Sequence, residues 1–233
     1  MRKLFIAAVV SSLATSMVTS QAGSMLLDTL GPGGNTLTID GLTFSDFVWT
    51  PSPGAPTASL ITVSTMDFGR PDGVHPTFGI QLQGPISVVG MNGIDIGLTY
   101  KVTANAPIIE DLYSAMVAGV QFGDGFAAID EVVHADGVGG LVVGQSSVGK
   151  LVLNGIASHD IQDPPGEALD ELVFPNQQWL TVEKNINLTG LSPNTVVTAT
   201  LIDQGFSVPE PTTYAGVFGL GLAGYTLVRR LRA

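Results

Sequence analysis

Cysteine is absent from the 233 residues, which excludes disulfides, thiol catalysis and thiolate metal sites together. The chain must draw its stability from its core alone. Basic residues are nearly as scarce, with nine lysines and arginines against twenty aspartates and glutamates. Five of the nine basic residues and one acidic residue sit in the two terminal segments, 1–22 and 208–233. The 185 or so residues between them hold 4 basic and 19 acidic side chains, a balance of −15. A surface of that sign repels phosphate backbones and anionic lipid, so nucleic acid is excluded as a partner. It suits solubility outside the cell, cation binding or contact with neutral polysaccharide. Charged residues of either sign reach only 12%, about half the usual share. No internal repeat at a fixed period is apparent.

Patterns that carry chemistry are equally sparse. A serine-hydrolase elbow needs Gly-x-Ser-x-Gly on a strained turn. Gly144-Gln145-Ser146-Ser147-Val148-Gly149 misses that spacing by one residue and reads as strand. Only three histidines exist, and each has acidic neighbours: His75 with Asp72, His134 with Asp136, His159 with Asp160 and Asp163. All lie in or beside expected turns, where aspartate is favoured for bonding to backbone. Asp124 and the pair Asp130-Glu131 are oxygen donors of the kind calcium takes, without the spacing of a known calcium loop. Trp49, Trp179, Tyr100 and Tyr113 are candidates for a sugar-stacking platform, although the two tryptophans fall beside apolar strand positions and are expected in the core. Asn187-Leu188-Thr189 matches the short pattern of a glycosylation acceptor. No catalytic residue, metal ligand or cofactor is assigned.

What the sequence has in plenty is glycine, 29 residues, together with threonine, valine and isoleucine, the composition of an all-β domain. Period-two alternation marks the strands. Residues 35–39 and 42–49 flank the Asp40-Gly41 turn signal, and 59–68 reads as a third strand. Residues 77–83 alternate, Pro85 interrupts, and 86–89 resume. The clearest strand is 94–104, with Ile94, Ile96, Leu98, Tyr100 and Val102 facing one way. Residues 107–119 fit a short helix or a strand, and strand is favoured because every neighbour is one. Segments 126–134, 140–154, 169–174, 179–188 and 195–206 complete the series, with loops at 163–166 and 192–194. Ten to twelve short strands predict a single β-sandwich or jelly-roll-like domain over 23–207.

The two ends are of a different kind. Arg2-Lys3, the apolar stretch 4–10 and Ser20-Gln21-Ala22 form a secretory signal peptide over 1–22, with signal peptidase expected to cut between Ala22 and Gly23. At the other end, residues 212–228 hold no charge. As a helix they would extend about 25 Å at 1.5 Å per residue, a short span of a hydrocarbon core about 30 Å thick. Pro209 and Pro211 disfavour helix before it, and Arg229, Arg230 and Arg232 form a cationic stop that stays cytoplasmic.

Val208-Pro209-Glu210-Pro211, the glycine-rich apolar helix and the terminal arginines, in that order, resemble the PEP-CTERM sorting signal. The resemblance implies a bacterium with an outer membrane, and processing by exosortase, a membrane-embedded protease-like enzyme for which Pro209-Glu210-Pro211 is substrate. It also implies a host that makes exopolysaccharide. The phrases Leu37-Thr38-Ile39-Asp40-Gly41-Leu42-Thr43-Phe44-Ser45-Asp46-Phe47 and Phe78-Gly79-Ile80-Gln81-Leu82 resemble a recurrent cargo domain on such tails, one without an assigned activity. The expectation is an exported, non-enzymatic surface or matrix protein. It would be tethered to the inner membrane by its C-terminal helix before processing, then pass to the cell surface or the medium, associated with exopolysaccharide. The alternatives are a calcium-dependent carbohydrate-binding module and an enzyme acting on polysaccharide.

Overall fold

A computed structural model describes residues 23–69, 76–135, 137–153, 156–162 and 170–208. Both terminal signals, and the loop expected at 163–166, lie outside the described residues. Among those described, no helix is long and apolar enough to cross a membrane.

The described residues form eleven antiparallel strands: β1 (Ser24–Leu26), β2 (Leu37–Ile39), β3 (Leu42–Pro51), β4 (Thr62–Gly69), β5 (Thr77–Val89), β6 (Gly93–Phe122), β7 (Gly125–His134), β8 (Val142–Leu153), β9 (Ile156–Gln162), β10 (Asp170–Gly190) and β11 (Val196–Ser207). They pack as a sandwich whose two sheets share their longest strands. In the first sheet the order is β2, β3, the first half of β6, the second half of β10, β7, β8, β9. In the second it is β1, β4, β5, β11, the second half of β6, the first half of β10. β6 changes partners between Ala104, the last residue opposite β3, and Glu110, the first opposite β11. β10 follows it, with register shifts at Val173, Gln177 and Trp179.

Alternation puts the core where the sequence predicts it. Ile94, Ile96, Leu98, Tyr100 and Val102 are all buried. Phe44 on β3 lies 6.0 Å from Phe206 on β11, ring to ring, so this pair bridges the layers, and within the first sheet Tyr100 stacks on Phe47 at 5.1 Å. Each such side chain contributes roughly 1.5–3 kcal/mol by leaving water. Between β2 and β3 both turn residues have positive φ, 45° at Asp40 and 83° at Gly41. That is the geometry a two-residue hairpin needs to match strand twist.

Three expectations are corrected. The strand expected from residue 59 starts at Thr62, because Ala58–Leu60 form a 3-10 turn. Pro85 does not end its strand. β4 begins opposite Gln83, and Pro85 lies in a bulge of β5, where Gly84 and Pro85 together face Thr200 of β11, so its missing N–H is not needed there. Segments 169–174 and 179–188 are one bent strand, β10. The ambiguous 107–119 is strand, as favoured, and continues β6.

Candidate functional site

The structure carries the chain up to each processing motif. Gly23, the expected new N-terminus, is held at the sheet edge: its backbone N–H donates to Thr65 Oγ1 at 2.9 Å, and its carbonyl accepts from the Thr65 N–H at 2.9 Å. At the other end β11 runs through the middle of the second sheet. Ser207 is buried with its hydroxyl 3.2 Å from that of Thr77, and Val208 is also buried. Pro209, Glu210 and Pro211, and then Arg229, Arg230 and Arg232, follow outside the described residues, as does Ala22. The sorting motif thus begins one residue beyond a core strand, with no linker.

Among the described residues, those singled out for chemistry do not converge. Asp72, His75, Asp136 and Asp163 lie outside the described residues, and His159, Asp160 and Tyr113 are on strands whose side chains are not described there. Asp124 sits in the turn before β7, where its carbonyl accepts from Thr195 Oγ1 at 2.7 Å. Asp130 is exposed and accepts from Ser147 Oγ at 2.7 Å. Glu131 points the other way into the interior, as alternation requires of its neighbour. These three cannot share a cation, and among the described residues no group of three or more His, Asp or Glu could hold one. Residues 144–149 are straight strand, with Gln145, Ser146 and Ser147 paired in register to Val132, Glu131 and Asp130, so no nucleophile elbow forms. Asn187 Oδ1 accepts from Thr189 Oγ1 at 3.0 Å within β10.

The aromatics separate. Tyr100 is core. Trp49 is half-buried against the core and its indole N–H donates to the Pro56 carbonyl at 2.9 Å. Trp179, expected in the core, is 36% exposed. Leu180 and Val182 take the inner positions of β10, leaving 179 on the outer face, where Lys101 Nζ lies 5.2 Å over the indole ring.

Sequence reasoning missed the polar cluster of the first sheet. Across four neighbouring strands, Leu98 (β6), Lys184 (β10), Glu131 (β7) and Ser146 (β8) stand in one row. Lys184 Nζ pairs with Glu131 Oε2, both side chains wholly buried. Behind them on the outer face, His134 Nε2 lies 3.1 Å from Glu183 Oε1, and its Nδ1 is 3.2 Å from the Gly140 carbonyl. A cavity of about 310 Å3 is lined by Asp130, Glu131, Val132, Gln145, Ser146 and Ser147. Glu131 Oε1 and Ser146 Oγ are buried without a hydrogen-bond partner among the described residues. The signal was present in the alternation: Glu131 falls in register with Ala127, Ile129 and Val133, and Lys184 with Leu180, Val182, Ile186 and Leu188, all of them inward positions.

Together these features define an exported all-β domain that ends directly in a C-terminal sorting tail. The tail is the PEP-CTERM protein-sorting motif, whose family model matches residues 207–232. That motif implies processing by exosortase. A search of curated protein sequences gives no match. Among solved structures, TmCBM61 in complex with beta-1,4-galactotriose is similar at 10% identity, with 70% of this chain and 88% of that one covered and a TM-score of 0.31. The enzymatically active domain of bacteriophage CBA120 tailspike protein 4 is similar at 12% identity, with 67% of this chain and 19% of that one covered and a TM-score of 0.23. Neither likeness carries a ligand or a reaction to this chain.

Proposed function

We propose that this chain is a non-enzymatic β-sandwich of the bacterial cell surface or extracellular matrix, delivered by exosortase and associated with exopolysaccharide. The observation that carries the reading is the junction at Val208. A sorting motif fused without a linker to a central strand makes the whole folded domain the cargo. The strongly acidic balance of residues 23–207 favours a neutral or cation-bridged polymer over an anionic one, and the outer-face Trp179 offers an aromatic edge to a sugar ring.

The intact mass of the protein, taken from cells and from medium, tests this. A species running from about Gly23 to the neighbourhood of Pro209-Glu210-Pro211 is expected outside the inner membrane, and it should co-sediment with the host's polymer. A chain still ending at Ala233 in the membrane fraction would instead make the tail a plain anchor.

A further inference from the structure

We infer that the end of the sandwich formed by the β5–β6, β6–β7 and β10–β11 turns is a self-association surface, which pairs with the same surface on a second copy of this chain. The inference takes its setting from the cell-surface reading above, while the contact itself belongs to the folded domain.

These turns are bonded to one another. The Gly90 N–H donates to the Thr195 carbonyl at 2.8 Å, the Gly190 N–H to that of Asn92 at 2.8 Å and the Leu191 N–H to that of Asp124 at 2.7 Å. Ser192 Oγ accepts from the Asp124 N–H at 3.1 Å. On this fixed platform stand Val89, Met91, Phe122 and Leu191, between 45% and 68% exposed. Val196 lies in register between Val89 and Phe122. Val88 and Val197 beside them are buried, so this row of apolar side chains faces outward. Turns ordinarily carry polar residues. Large apolar groups held in water by a bonded frame mark a contact surface, because little freedom is lost when they are covered.

Charge selects the partner. Residues 84–94, 112–123 and 185–202, which lead into and out of these turns, hold no charged side chain, in a domain whose balance is −15. The turns themselves carry one, Asp124. Two copies repel over the acidic remainder of their surfaces and approach most easily where neither presents charge. Pairing patch against patch about a two-fold axis covers both apolar ends and holds the acidic parts of the two copies apart. A sugar chain fits less well, because its hydroxyls would be covered by side chains that cannot bond to them. Position argues against lipid. β11 runs from Val196 at this end to Ser207 at the other, 12 residues or roughly 40 Å at about 3.3 Å each. The sorting tail therefore leaves from the far end, and a tethered chain turns the patch away from its own membrane. Paired copies hold their tails at opposite ends, so each pair links two surfaces. The patch is small beside the roughly 20–30 residues a side of a stable complex. A single pair is therefore transient, and it gains strength where many copies are displayed together.

The chain has no cysteine, so one introduced thiol reads the contact without background. The test uses the full chain carried one per lipid nanodisc, which prevents association through the tail, and a short bismaleimide as crosslinker. Met91→Cys and Leu191→Cys are expected to give covalent dimers. Val138→Cys, on the exposed β7–β8 turn at the other end, should give none. Adding Phe122→Glu to Met91→Cys should slow dimer formation at least tenfold, as expected for a charge placed within an apolar contact, at an unchanged Tm. Phe122→Ser takes its place if the glutamate lowers the Tm. Equal rates for Met91→Cys and Val138→Cys, or no dimer from either turn variant, would overturn the inference. So would binding of the wild-type chain to protein-free vesicles of neutral lipid, or to the host's polymer, that Phe122→Glu abolishes while Met91→Cys stays monomeric. Delivery is read separately by intact mass: dimers from a chain that keeps Ala233 in the membrane fraction would uphold the contact and overturn the surface reading alone.

Discussion

Replacing Lys184 by methionine isolates the energetics of the polar row. The side chains of Lys184 and Glu131 are both wholly buried and stand directly opposite in the β10–β7 ladder. Methionine keeps most of the volume and removes the cation, leaving a carboxylate inside a sheet with nothing to offset its lost hydration. Breaking such a pair costs about 3–5 kcal/mol. Against a total stability of roughly 5–15 kcal/mol that is a large share, and at about 2–4 °C per kcal/mol for a domain of this length the Tm should fall by roughly 6–20 °C. The double variant Lys184→Met with Glu131→Leu removes both charges and should recover the loss, or exceed wild type by about 1–4 kcal/mol. Urea unfolding followed by circular dichroism gives both values, provided the slope of the transition stays constant across the set. A single variant costing under about 1 kcal/mol, or a double variant no better than the single, would refute the buried pair.

Two further outcomes are expected. A Cβ on Gly79 would collide with the backbone carbonyl of Gln204, since β5 and β11 approach at a Gly79–Gly205 pair. Gly79→Ala should therefore cost about 3 kcal/mol or more, whereas Gly97→Ala, whose nearest neighbour would be Thr50 Cβ at 3.6 Å, should be tolerated; equal urea midpoints for the two would refute the packing argument. Burial raises the Asp203 carboxyl above its ordinary value, and the hydrogen bond from Gln81 Nε2 at 2.8 Å offsets part of that. With the folded pKa above the unfolded one, stability falls as pH rises from the unfolded to the folded value and is flat above it. Asp203→Asn should flatten that part of the profile and be neutral or stabilising at pH 7, and an unchanged slope in urea titrations from pH 4 to 7 would sink the assignment.

The fold was legible where one face of a strand is dry. Residues 94–102 alternate without a break, and the structure buries every inward position among them. Legibility failed where strands cross from one sheet to the other. There β6 and β10 reverse which neighbours they face, so the run at 107–119 loses a single period, and 169–174 reads as detached from 179–188. Trp179 was misplaced for the same reason: it sits at the last of the β10 irregularities, where inner and outer positions are reset. The polar row was hidden by topology rather than by composition. Glu131 and Lys184 are 53 residues apart, and β8 and β9 intervene in the chain before β10 returns to pair with β7. Reading Asp130 and Glu131 as joint ligands ignored that adjacent strand residues face opposite ways. The C-terminal sorting motif was legible outright, because its chemistry is written in consecutive residues.

The place of β11 has a consequence for the order in which this protein can be completed. β4 and β5 lie on one flank of β11 and β6 on the other, so a chain crossing the membrane N-terminus first delivers two part-sheets with open edges. Such edges are templates for pairing with other chains. The strand that closes them crosses last, with the sorting motif one residue behind. If exosortase takes the tail as soon as it emerges, closure of the sandwich and handling of the tail fall within the same short interval. A chain severed before β11 has docked would leave as an aggregation-prone half-product, so the domain's own folding rate sets the earliest moment at which release is safe.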